Sequence, residues 1–133
     1  MTDPKPIPGH QHYLACADGS IESISRVTIR RGHPYRQRGR KLKPWLAGSG
    51  YLYVQLGFGG PKTGVHRLVC LAFHGAPTFE NAEAAHRNGI KIDNRPENLR
   101  WLTRTENERE KMQHGTYFIR GIKHRKANDS AQA

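Results

Sequence analysis

No run of about 18 consecutive apolar residues occurs in this 133-residue chain, which argues against a membrane-spanning helix. The opening MTDPKPIPGH has no apolar core of the signal-peptide kind, so the expected location is the cytoplasm. Cysteine is scarce: Cys16 and Cys70 lie far apart without C-x-x-C spacing, which excludes the usual zinc or redox pair and leaves two structural thiols. Acidic residues are few as well, 11 against 22 Lys plus Arg, for a formal charge of +11. A small protein this basic is expected to meet a polyanion, because neutralising phosphates releases counterions; a membrane surface is the rival partner. No internal repeat is visible, and the length suits one domain with attached arms.

The acid-free region is concentrated between Arg26 and Lys43. It holds Arg26, Arg30, Arg31, Arg36, Arg38, Arg40, Lys41 and Lys43, interrupted by Gly32, Pro34 and Gly39. A solvated loop is the bland account of such a run. Clustered like charges repel one another without a partner, however, and Tyr35 and Trp45 beside them suit packing on sugar or base, so DNA contact is expected here.

Around this region the chain reads as short strands. Residues 1–12 carry three prolines by position 8 and are expected to form an extended arm, with His10 and His12 on it as an H-x-H that is solvated rather than metal-bound. Residues 13–28 alternate loosely about an Asp18-Gly19 turn, with Ile21, Ile24 and Val27 as apolar anchors. Residues 50–58 form the clearest strand, since Leu52, Val54, Leu56 and Phe58 alternate with polar or aromatic neighbours. Val65, Leu68, Val69 and Ala72 then recur at helical spacing, and Gly75 and Pro77 end that helix through a left-handed cap. His66 and Arg67 are expected on its surface, His66 in packing or hydrogen bonding rather than catalysis.

Residues 82–115 hold the most structured signal. A small-residue run ends at His86; a polar, turn-rich loop follows; Leu99-Arg100-Trp101-Leu102 resumes apolar character; and a charged helix closes the unit. Thr103 and Glu106 spell a capping box at the start of that helix. Asn98 stands twelve residues after His86, and Asn107 nine beyond that. A histidine and an amide brought together from a strand end and a helix offer a general base and a hard oxygen ligand, the pair that single-metal phosphodiester hydrolysis needs. Trp101 is expected in the core, and Asp93-Asn94-Arg95-Pro96 reads as turn chemistry.

The segment HRNGIKIDNRPENLRWLTRTEN resembles the ββα-metal motif of HNH endonucleases of phage and intron-encoded, homing type, with Asn107 in place of the last histidine. The resemblance is specific over residues 65–116; upstream, GRKLKP, GYLYVQL and VHRLVCLAF resemble a module that often precedes HNH domains in phage enzymes. It implies an α+β chain: an extended arm (1–12), a β-rich basic DNA-contacting module (13–64), a ββα-metal core (65–116) preceded by a small antiparallel β module and a helix, and a basic tail (117–133) whose last residues, 127–133, are disordered. It implies His86 as general base, Asn98 as the residue that ties loop to strand, and Asn107 as a ligand of Mg2+ or Mn2+. Double-stranded DNA is the implied substrate, cut or nicked to 5′-phosphate and 3′-hydroxyl ends within a bacterial host cell. Arg95 and Arg100 are candidates for phosphate contact, with pairing to a carboxylate as the alternative.

One position departs from the family. Many members place a metal-binding aspartate directly before the histidine, where this chain has Ala85. Glu83 shares that side of the strand about 6.6 Å away, at ~3.3 Å per residue, and Asp93 is a second substitute. Because of this departure a DNA-binding protein with weak or no nuclease activity stands beside the nuclease reading. A phage packaging accessory is the third.

Overall fold

A computed structural model of the chain describes residues 3–57 and 59–114, together with the backbone of residues 118–119 and 122–123. Its prolines do not keep the first residues out of regular structure. β1 (Lys5–Ile7) pairs antiparallel with β2 (His10–Ala15), and β2 with β3 (Ile21–Ser23) across a turn that includes Asp18 and Gly19. The expected arm is therefore an edge strand, and Ile7 is 2% exposed. An edge tolerates Pro6 because an edge strand need not donate on both sides, and the register shifts between Pro6 and Ile7.

The arginine-rich stretch is a hairpin rather than a loop. β4 (Arg26–Arg30) pairs with β5 (His33–Gln37), and Arg31 and Gly32 between them both take positive φ, 52° and 80°. Two consecutive left-handed residues match the twist of a two-residue hairpin turn. Pro34 fits because a two-stranded ribbon has only edges. Val27 is not the anchor expected of it: its strand pairs with β5 alone, away from the core, and the side chain is 59% exposed. β6 (Arg40–Lys41) returns to pair with β3, completing a sheet of order β1-β2-β3-β6.

Next come β7 (Trp45–Leu46), β8 (Leu52–Gln55) and β9 (Lys62–Gly64), a three-stranded sheet in that order. The strand expected over 50–58 is shorter at both ends, and Phe58 lies outside the described residues. Val54 and Leu56 are buried as the alternation requires.

α1 (Val65–His74) is the hub. Val65, Leu68, Val69 and Cys70 are buried, and the helix touches β1, β2 and β8 as well as β10 (Glu83–His86) and β11 (Leu99–Leu102). Burying a Val or Leu side chain contributes roughly 1.5–3 kcal/mol, so this one face ties the N-terminal sheet to the strands that follow. Gly75 ends the helix with its N–H on the Leu71 carbonyl, but at φ 77°, ψ 175°, which is not the left-handed helical cap expected. Its carbonyl accepts a 2.9 Å bond from Trp101 Nε1, and Trp101 packs against the core as expected. Cys16 and Cys70 are buried free thiols.

α2 (Arg104–His114) follows β11. Its capping box forms as written: the Thr103 N–H donates to Glu106 Oε1 at 2.9 Å, and the Glu106 N–H donates to Thr103 Oγ1 at 3.2 Å. β12 (Phe118–Ile119) and β13 (Ile122–Lys123) pair with each other. The tail's cationic side chains, Arg120, Lys123, His124, Arg125 and Lys126, and residues 127–133 lie outside the described residues.

Candidate active site

β10 and β11 pair antiparallel with Ala84 opposite Trp101, Ala85 opposite Arg100 and His86 opposite Leu99. Alternation sorts the side chains. Ala84, Leu99 and Trp101 join the core that α1 covers, while Glu83, Ala85 and Arg100 turn toward α2.

His86 sits at the end of β10 and is 7% exposed. Its Nε2–H donates to Asn94 Oδ1 at 2.7 Å, which leaves Nδ1 with the ring's lone pair. Two other rings flank it. Tyr51 lies 5.9 Å and His66 5.3 Å away between centroids, and Tyr51 and His66 stack on each other at 4.8 Å. Burial lowers the pKa of His86 below the usual histidine range, against the opposing pull of the Asn94 bond and Asp93. His66 is pushed down to about 3, by burial first and then by His86. Both rings are neutral at pH 7, the state a base requires.

The loop that carries Asn94 is fastened by Asn98, which is 5% exposed. Asn98 Nδ2 donates to the Asp93 carbonyl at 2.8 Å and to Asn88 Oδ1 at 3.0 Å, while Asn98 Oδ1 accepts from the Asn88 N–H at 3.1 Å. Asp93 in turn takes two 2.8 Å bonds from Arg95 and one of 2.9 Å from Asn88, and these bonds hold its carboxyl well below the usual carboxylate range. Lys91 reaches the Ser49 carbonyl at 3.0 Å, pinning the loop to the turn before β8. From the other side Gly19, at φ 89°, presses against it. A Cβ there would lie 2.8 Å from the carbonyl carbon and oxygen of Asn94.

Asn107 stands one turn into α2 and is 6% exposed. Its Nδ2 donates to Glu83 Oε1 at 2.7 Å, joining helix to strand. Asn107 and His86 line one pocket with Tyr51 and Lys111. Asn107 and Glu83 also border an open groove with Tyr53, His66 and Arg67. The structure thus brings together His86, Asn98 and Asn107 around β10 and its loop. Ala85 faces Arg100, whose guanidinium is ion-paired with Glu110 of α2.

Arg95 and Arg100 both adopt the carboxylate alternative, Arg95 with Asp93 and Glu97, Arg100 with Glu110. The other DNA-contact candidates stand differently. Arg30, Arg31, Arg36, Arg38, Arg40, Lys41 and Lys43 are exposed on or beside the β4–β5 hairpin and β6, and Arg26 is half-buried. The Arg30 guanidinium lies over the Tyr35 ring at 4.3 Å.

His66 packs, as expected, and the identity of its partner was not legible; Asn94 escaped the sequence reading altogether. Asn94 looks like any turn asparagine, since only the loop's path aims it inward. His66 sits in the first turn of α1 beside buried Val65, and that position was its single available signal.

Comparison with known proteins follows the same residues. The HNH endonuclease family model matches residues 63–109. An uncharacterized HNH endonuclease of Acanthamoeba polyphaga mimivirus is 33% identical over 106 residues, 77% of this chain and 23% of that protein. The DNA endonuclease I-HmuI of Bacillus phage SP01 is 34% identical over 119 residues, 86% of this chain and 60% of that one. The solved structure of the HNH homing endonuclease I-HmuI, which concerns its DNA binding and cleavage, matches with a TM-score of 0.65 at 29% identity, covering 90% of this chain and 63% of that chain. This chain therefore spans less than two thirds of the length of each of these relatives. The match to the HNH endonuclease family model falls on residues 63–109, which hold α1, His86, Asn98 and Asn107.

Proposed function

We propose that this chain is a metal-dependent DNA endonuclease of the phage homing type, acting in the cytoplasm of a bacterial host. The observation that carries the reading is the meeting of His86 and Asn107 on one pocket, His86 neutral and clamped through Nε2 so that Nδ1 is the base. In this reading residues 65–116 form a ββα-metal core that cuts. Residues 13–64 hold the duplex through the exposed arginines, and the basic tail 117–133 adds to that hold.

The donors present suit a hard cation. Among the described residues no three His, Cys, Asp or Glu converge, so such an ion would have few protein ligands. Mg2+ accepts that situation, being held by one or two carboxylates with waters and substrate phosphate completing its shell, and Mn2+ shares the oxygen preference. Asn107 uses its Nδ2 on Glu83 and offers Oδ1 as a hard donor. When bound, the cation would offset charge on the phosphate and on the departing 3′ oxygen. His86 Nδ1 takes a proton from a water whose oxygen bonds to phosphorus. The bond from phosphorus to the 3′ oxygen then breaks. Phosphate stays on the 5′ end, and the 3′ oxygen is protonated from solvent to a hydroxyl. Asn94 keeps the ring from turning during the transfer, and Asn98 keeps Asn94 in reach through the Asp93 carbonyl.

A plasmid-nicking assay with Mg2+, Mn2+ or EDTA tests this directly. Conversion of supercoiled DNA with either metal and none with EDTA is expected; cleavage that persists in EDTA would refute the metal, and no cleavage under any condition would refute the enzyme. One observation favours the second reading, a DNA-binding protein with weak or no activity: Ala85 is buried and presents only a methyl group where many members of the family have a metal-binding aspartate. The same assay separates the two.

A further inference from the structure

We infer that Glu83 supplies the carboxylate of the cation site, in place of the side chain missing at Ala85. The inference rests on the endonuclease reading above and names the ligand which that reading leaves open.

Five carboxylates lie near the strand and its loop, and four are paired elsewhere, Glu97 with Arg95 among them. Glu106 closes the capping box with Thr103. Asp93 is held by two bonds from Arg95 and one from Asn88, so its charge is already offset within the loop. Glu110 is ion-paired with Arg100 through Oε2; its Oε1 is buried without a hydrogen-bond partner beside Ala85 and His86, but the guanidinium already offsets its charge. Glu83 instead meets Asn107, the amide proposed as ligand, at 2.7 Å.

The strand explains why Glu83 can substitute. Two residues before Ala85, it shares that residue's side of β10, and its two methylenes let the carboxylate travel along the strand, which a shorter aspartate could not do. The helix residue has come to it: Asn107 bonds Glu83 rather than any group at the strand end. Both residues line the open groove with Arg67 and His66, a setting reachable by a phosphate and its cation. One carboxylate and one amide oxygen is a donor set that Mg2+ and Mn2+ accept.

Glu83 could instead merely orient Asn107, and Glu83→Gln distinguishes the roles. Glutamine keeps an oxygen to accept the Asn107 bond but loses the negative charge. Mn2+ binding to the full chain without DNA, followed by electron paramagnetic resonance, is the measurement. Wild type should bind Mn2+, Glu83→Gln should bind about tenfold or more weakly, and Glu108→Gln, on the exposed side of α2, should stay within about twofold. A Glu83→Gln affinity equal to wild type overturns the inference. Asn107→Ala keeps the two claims apart. If it weakens Mn2+ binding while Glu83→Gln does not, the metal reading survives and Glu83 only positions; if neither variant matters, or wild type takes up no Mn2+, both claims fall. Should Glu83→Gln lose its cooperative thermal melt, Glu83→Asp, which keeps the charge but withdraws it by one methylene, is read in its place against the same outcomes.

Discussion

The β10–β11–α2 unit and the β4–β5 hairpin treat polar side chains in opposite ways. In the first, His86, Asn94, Asn98 and Asn107 are each at most 7% exposed, and each is fixed by hydrogen bonds of 2.7–3.1 Å. In the second, arginines stand in solvent and even Val27 and Ile29 are left 59% and 69% exposed. Fixed groups act at one point in space, as proton transfer requires. Exposed cations on a ribbon act through summed charge, which requires reach more than precision. Under the proposed function the contrast separates catalysis from holding, and it can be broken by mutation.

The largest effect is expected at His86. His86→Ala should lower cleavage by roughly 100 to 10,000-fold while DNA affinity stays within a few-fold, because a general base acts on rate and little on ground-state binding. Nicking near the wild-type rate would remove the separation at its root. Asn94→Ala leaves the base in place but frees its ring, and a loss on the order of 100-fold in cleavage, again without lost affinity, is expected from misorientation. An unchanged single-turnover rate would show that the two flanking rings suffice to hold it.

The arginine-rich stretch of the hairpin and β6 should answer in the opposite sense. Replacing Arg36, Arg38 and Arg40 together by glutamine should weaken duplex binding roughly tenfold at moderate salt and flatten the log-log salt dependence by about 0.9 units per lost phosphate contact. Cleavage of DNA at saturating concentration should persist. Affinity and slope that both stay put would reduce the arginine-rich stretch to a solvated surface.

The smallest expected effect concerns acid. His66 has a folded pKa of about 3, well below the ordinary 6.5, so below pH 6.5 the unfolded chain binds a proton that the folded one refuses. Stability should fall as pH drops from 6.5 to 5, a window above the ordinary carboxylate range, and His86 adds to the slope in the same direction. His66→Phe keeps a ring against Tyr51 and should remove part of that slope, a few degrees of Tm. Identical melting profiles for the two proteins over that interval would contradict the burial assigned to His66.

What could be read from sequence divides along the same line. Patterns set by local geometry were legible: the capping box at Thr103, the α1 spacing and the alternation that buries Val54 and Leu56 all follow from the chain's own period. Asn107 was placed correctly one turn into its helix for the same reason. Features that depend on distant chain were not legible. Whether Pro6 ends a strand or edges a sheet depends on β2 being there to pair with it, and whether Arg100 meets phosphate or Glu110 depends on how α2 crosses the strands. Asn94 is the sharpest case. Nothing near it in sequence tells a turn residue from the partner of His86.

The closeness of Gly19 to Asn94 bears on how such a protein can be rebuilt. The turn between β2 and β3 has no side chain at Gly19, and the backbone it touches belongs to Asn94, the residue that holds His86. The seam between front half and back half is therefore a shared wall. Transplanting residues 63–109 onto a foreign carrier would leave that wall unsupported, whereas a graft that brought the turn along would carry its own brace. Under the proposed function, altering the duplex contacts should be easier at the tip of the β4–β5 hairpin, where a Cβ on Gly32 would meet nothing within 4 Å among the described residues, than at any boundary drawn between the sheets.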